Sequence, residues 1–236
     1  MCALQVGGRQ LPDRDFEVLR WIGRNGIVTS EQVARAWFPG TGGQPSLDMA
    51  WRRLRILQEH RLIERVASSK LQNGRTLWRG PLVVRATNRG LREVELPLPV
   101  AAIVPHQITH QLGITDLLDE LLLAHHFQTY YTEREVRALR TRERSGGRRP
   151  PGRGRMPDAV ICLADGTTVG IELDLTDKGV WRYRPLVTQY LSEMFQGKLL
   201  DRVWWFLPTQ GAVDRMQPVL ARAGAGTIIT PRLWQR

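Results

Sequence analysis

Pro157-Asp158-Ala159-Val160-Ile161-Cys162-Leu163, turning at Asp165-Gly166 and returning through Gly170-Ile171-Glu172-Leu173-Asp174, decides how this chain is read. Two short apolar runs around Asp-Gly are a hairpin signal, because these residues tolerate the backbone of a tight turn. The return strand extends over Thr167 to Leu175. Side-chain direction repeats every two residues along a strand, so Glu172 and Asp174 share one face. With Asp158 at the same end, three carboxylates converge where self-repulsion is costly unless a cation offsets it. Oxygen-only donors suit Mg²⁺ or Mn²⁺, the ions that assist phosphodiester cleavage. A single acid at a strand end is ordinarily solvated, so the trio carries this reading and no one member does.

The rest of the chain is strongly basic. Its 236 residues carry a net charge of +11 and a pI of about 10.8, and of 34 basic residues only Lys70, Lys178 and Lys198 are lysine. The guanidinium fork binds phosphate in bidentate fashion, which favours nucleic acid, double-stranded DNA first, as the polyanionic partner. An arginine bias also follows from GC-rich coding. No long amphipathic basic helix points to a membrane surface, and no apolar run approaches the roughly 20 residues that span a bilayer. Cys2 and Cys162 are the only cysteines, which argues against a disulfide framework or a cysteine-ligated zinc. No signal peptide is visible, so a cytoplasmic protein associated with nucleoid or plasmid is expected.

The N-terminal third has its own pattern. Asp13 is the expected N-cap of a helix carrying Phe16, Leu19, Trp21 and Ile22, and Thr29-Ser30-Glu31 opens a second helix. Ser46 caps a third, with Arg52, Arg53 and Arg55 on its outer side. Leu62 to Val66 and Leu77 to Ala86 read as strands joined through Asn73-Gly74, and Thr87-Asn88-Arg89-Gly90-Leu91 begins another helix. Three helices and a hairpin, with Ile27 to Ala34, Ala50-Trp51-Arg52-Arg53-Leu54 and Leu62-Ile63, resemble the winged helix-turn-helix family. That resemblance implies that the helix from Ser46 enters the major groove with Arg52, Arg53 or Arg55. The wing from Lys70 to Arg75 would lie along the backbone. A winged helix used for protein contacts is the alternative.

Leu96-Pro97-Leu98-Pro99 disfavours helix and central strand and is the expected boundary, giving domains 1–96 and 97–236. A long helix follows from about His106 to Phe127, then a strand from Thr129 to Val136. A basic flexible loop over 140–155, containing Arg148, Arg149, Arg153 and Arg155, leads into the carboxylate hairpin. A helix from about Pro185 to Gly197, a strand Arg202 to Leu207, a helix Val213 to Ala223 and a strand Thr227 to Ile229 complete the chain.

This second half, α-β-β-β-α-β-α-β, with Pro157-Asp158 and Glu172-Leu173-Asp174, resembles the PD-(D/E)xK restriction-endonuclease-like fold. The fold class expected is therefore α+β or α/β in two domains, a winged helix-turn-helix followed by a mixed sheet flanked by helices. Asp174 stands where that family usually has lysine, which questions ordinary nuclease activity. Winged helix plus this variant motif resembles the replication-relaxation family of bacterial plasmid and mobile-element proteins. The matching residues are His110-Gln111-Leu112 with Asp116, Tyr131-Thr132-Glu133-Arg134-Glu135, and Pro157-Asp158-Ala159-Val160 continuing to Glu172-Leu173-Asp174.

The resemblance implies action on plasmid or mobile-element DNA during replication or mobilisation, by metal-dependent nicking or relaxation of supercoiled DNA. Asp158, Glu172 and Asp174 would then be catalytic and hold Mg²⁺ or Mn²⁺, with Glu120 completing the shell and Glu133 a weaker candidate. Lys178, Arg182 or Arg184 would replace the absent lysine. Covalent attack by Tyr130, Tyr131, Tyr183 or Tyr190 is a separate route. The duplex contacts are expected from Arg52, Arg53, Arg55, Arg75, Arg148, Arg149, Arg153 and Arg155. A non-catalytic regulator with an inactive nuclease-like domain is the rival, and a homodimer follows from winged-helix precedent.

Overall fold

A computed structural model describes residues 5–6, 9–66, 81–124, 127–145, 156–197 and 200–235. The contacts divide the chain into two compact units, Met1–Asp119 and Glu120–Arg236.

The first unit opens with a short antiparallel ribbon, β1 (Gln5–Val6) and β2 (Arg9–Gln10). Then come α1 (Asp13–Asn25), β3 (Ile27–Thr29), α2 (Ser30–Trp37) and α3 (Leu47–Glu59). β4 (Ile63–Arg65), β5 (Val83–Ala86) and α4 (Asn88–Glu93) follow, and α5 (Ile108–Ala124) begins here. The three strands form an antiparallel sheet in the order β3-β5-β4. The start of α2 follows from Thr29 and Gln32. The Thr29 hydroxyl accepts from the Gln32 amide at 3.1 Å and the Gln32 side chain accepts from the Thr29 amide at 2.9 Å. This reciprocal pairing satisfies two amides that a helix start leaves unbonded. α4 is capped in the same way by the Thr87 hydroxyl on the Gly90 amide. Gly90 has no room for a side chain, since a Cβ there would sit 2.1 Å from the Leu62 carbonyl oxygen. Leu19, Ile22, Val33, Leu54, Leu57 and Leu62 meet in one core.

Three local expectations change. Asp13 is the first residue of α1 and Pro12 holds the cap position without a side-chain bond. The acid that matters in this turn is Asp15, which is buried. Ser46 occupies the cap position of α3, but its side chain makes no capping bond. Leu96–Pro99 lies within the first unit: Leu96 and Val100 pack on its core, and the division falls inside α5. The prolines interrupt regular structure there without separating the flanking segments.

The second unit contains β6 (Phe127–Thr132), α6 (Glu133–Ser145), β7 (Ala159–Leu163) and β8 (Thr168–Leu173). α7 (Val180–Gly197), β9 (Arg202–Leu207), α8 (Gln210–Arg222) and β10 (Ile229–Leu233) complete it. The sheet order is β10-β9-β8-β7-β6. β6, β7 and β8 run antiparallel in sequence, and β8, β9 and β10 are parallel, with α7 and α8 as the crossovers. One face of β9, Val203, Trp205 and Leu207, packs with Tyr183, Val187 and Tyr190 of α7 and Met216 and Leu220 of α8. The chain is thus α+β, with two principal sheets.

The strand expected over Thr129 to Val136 ends at Thr132, and the loop expected from 140 is helical as far as Ser145. Glu135 is the cause: its carboxylate accepts from the Thr132 amide at 2.9 Å and from the Thr132 hydroxyl at 3.0 Å. A Thr-x-x-Glu start of this kind turns the chain out of the strand. The ion pair between Glu133 and Arg137, one turn apart, supports the helix that follows. The remainder of the expected loop, 146–155, lies outside the described residues.

Candidate nucleic-acid interface and carboxylate cluster

The hairpin forms as its sequence requires. Cys162 pairs with Thr168 and Ala159 with Ile171, and Gly166 turns with a φ of 84° that favours glycine. Asp158 immediately precedes β7 and Glu172 follows Ile171, so Asp158, Glu172 and Asp174 all stand at the same end of the hairpin.

Each of the three carboxylates, however, is held by protein donors. One oxygen of Asp158 accepts from the Leu173 amide at 2.9 Å and so extends the β7–β8 ladder with a side chain. Glu172 is fully buried, at 0% exposure, and takes a hydrogen bond from the Tyr190 hydroxyl. Asp174, also buried, pairs with the Lys178 ammonium and accepts from the Trp205 indole N–H at 3.1 Å. The Tyr190 and Tyr183 rings lie edge-on to Trp205, with centroids 5.7 and 6.1 Å away. Burial, and after it the charges of Asp174 and Asp177, push the Tyr183 phenol above its ordinary range.

Glu120, the expected fourth ligand, accepts from the Trp234 indole N–H at 2.7 Å. Among the described residues no group of three or more His, Cys, Asp and Glu side chains is arranged to hold a metal ion. The set expected for Mg²⁺ or Mn²⁺, Asp158, Glu172, Asp174 and Glu120, therefore does not fit a divalent ion as it stands. Lys178 already places a positive charge on Asp174, and Tyr190 closes Glu172 off from solvent. Glu133, the weaker candidate, pairs with Arg137.

The expected duplex contacts separate by environment. Arg52 and Arg55 project from α3 into solvent. Arg53 does not. Its guanidinium forms a two-point pair with Asp15, the Nε bond being 2.8 Å, and Asp15 is only 1% exposed. Arg53 ties α3 to α1, and its guanidinium is engaged by Asp15. Arg75, Arg148, Arg149, Arg153 and Arg155, with the Asn73-Gly74 turn and the wing around Lys70, lie outside the described residues.

Asp116 has a role that sequence reasoning missed. It is buried on α5, pairs with Arg35 and accepts from the Gln32 amide group at 2.9 Å; Gln32 also donates to the Leu112 carbonyl at 2.8 Å. Gln32 thus joins the cap of α2 to α5. A signal was available in Gln32 and Arg35, which sit three apart on one face of α2. His110, in the same stretch of α5, is half-buried.

The replication-relaxation family model matches residues 19–197, most of both units. The chain belongs to the replication-relaxation family. Membership associates it with the replication or relaxation of plasmid and mobile-element DNA. No curated protein and no solved structure matches the chain. Within the matched span, the residues expected to be diagnostic differ in their structural contacts. Asp116 and Glu135 organise helices, and Asp158, Glu172 and Asp174 close one end of the hairpin. Among the described residues, no helix is long and apolar enough to cross a membrane.

Proposed function

We propose that this replication-relaxation protein is a DNA-binding regulator of plasmid or mobile-element replication, and that its sheet unit is a non-catalytic relative of the PD-(D/E)xK nucleases. The observation that carries this reading is Glu172, sealed from solvent beneath α7 with a tyrosine hydroxyl as its donor. A carboxylate that must grip a metal beside a nucleic-acid strand needs an open side. The first unit is read as a winged helix-turn-helix whose α3 enters the major groove, with Arg52 and Arg55 exposed for phosphates or base edges. A homodimer presenting two copies of α3 to two half-sites belongs to the same proposal, as does residence with plasmid DNA in the cytoplasm.

A second reading, metal-dependent nicking, draws on one observation: the three carboxylates share one end of the hairpin. It requires Glu172 to leave Tyr190 and Asp174 to leave Lys178.

Duplex binding followed by fluorescence anisotropy across a salt series tests the main reading. Binding should persist in EDTA. Its log–log salt slope should fall by about 1 for each of Arg52→Ala and Arg55→Ala. Affinity that disappears on chelation, or that ignores both arginines, would refute it.

A further inference from the structure

We infer that Trp181, with Arg182, is a stacking site for an unpaired nucleotide of single-stranded DNA. Trp181 is 70% exposed, the most exposed tryptophan among the described residues. α7 turns Tyr183, Val187 and Tyr190 into the core and leaves this one indole in water, although burying such a ring is normally favourable.

The ring is nonetheless positioned. The Arg182 guanidinium carbon lies 4.9 Å from its centroid, a cation–π contact. Its pyrrole edge rests on Gly179, where a Cβ would come within 3.0 Å of Nε1 and 3.1 Å of Cδ1. Glycine at 179 leaves room for the indole against the chain, and a side chain there would press on it.

The charges around it select the ligand. Lys178 is taken by Asp174, and Asp177 pairs with Arg215. Arg182 and Arg184 remain exposed, on the same turn as the indole. A flat aromatic surface beside guanidinium groups matches a nucleotide with a free face, base on the ring and phosphate on the arginine. Duplex DNA hides its base faces in the stack, so the site suits strands that are already separated. A protein docked on Trp181 would have to bury charged neighbours with it, which argues for the polyanion.

This site shares with the proposed function only the premise that DNA is the partner, and it is independent of α3. The test uses the full-length protein, fluorescein-labelled dT20 and a labelled 20-base-pair duplex, followed by anisotropy at low salt. Trp181→Ala should weaken dT20 binding about tenfold and duplex binding less than twofold, while Trp181→Phe retains most of the dT20 affinity. An unchanged thermal midpoint in both variants is expected, because the ring is exposed. Arg52→Ala should show the reverse preference, weakening the duplex and sparing dT20. Wild-type affinity of Trp181→Ala for dT20, equal losses on dT20 and duplex, or no dT20 binding by the wild type would each overturn the assignment. Failure of α3 would show instead as duplex binding insensitive to Arg52.

Discussion

A carboxylate with no solvent exposure needs a donor, and Glu172 finds one in the Tyr190 hydroxyl. Removing that donor leaves the charge buried and under-satisfied. Tyr190→Phe should therefore cost about 1–3 kcal/mol in urea unfolding, whereas Glu172→Gln, which keeps an acceptor, should cost less. Arg53 and Asp15 present the same logic across α1 and α3. Arg53→Ala should destabilise by about 3 kcal/mol, while Arg52→Ala next to it stays within about 0.5 kcal/mol. Similar losses for the two would mean that the Arg53–Asp15 pair does not hold α3 to α1. Tyr183 supplies a pH signature. Its phenol is raised above the ordinary value, so its contribution to stability is complete below about pH 10 and falls as pH climbs through the higher folded value. Thermal midpoints measured from pH 8 upward should drop in the alkaline range for the wild type and drop less for Tyr183→Phe. None of these partnerships was legible in the sequence, because Tyr190 lies 18 residues from Glu172 and Trp205 lies 31 from Asp174. Spacing placed the acids at one end of a hairpin. Only tertiary packing decides what else arrives there.

At the scale of elements, period-2 runs and turn chemistry were the readable signals. β9 spans Arg202–Leu207 as its Val-Trp-Trp-Phe run requires, and the β7–β8 hairpin turns at Asp165-Gly166. The capping residues Thr29 and Thr87 likewise marked α2 and α4 from sequence. α6 was missed because the strand was carried past Thr132 to Val136 and the Arg-rich run from Arg140 reads as loop. The deciding contact, Glu135 on Thr132, is local and carries the Thr-x-x-Glu signature that the strand reading overrode. Glu135→Ala should lower stability by roughly 1 kcal/mol and reduce the helical signal in circular dichroism. An unchanged spectrum and midpoint would mean that α6 is fixed by packing and not by its cap. α5 shows the converse. Its presence was readable from its leucines, though it spans Ile108–Ala124 and not His106 to Phe127, but the pairing of buried Asp116 with Arg35 and Gln32 was visible only once α2 and α5 were in place.

At the scale of the molecule, two features stand side by side: a chain of net charge +11 and a carboxylate cluster whose members are bonded to protein donors. On the proposed reading, the basic excess would supply affinity that depends on salt and not on divalent ions. Family membership associates this protein with the replication or relaxation of plasmid and mobile-element DNA, and the proposed reading separates holding DNA from cutting it. Supercoiled plasmid incubated with the protein, in EDTA and in Mg²⁺ or Mn²⁺, distinguishes them most directly. The expected result is plasmid bound equally under all three conditions and still supercoiled. Open circles that appear with the metals and vanish in Asp158→Asn would contradict it.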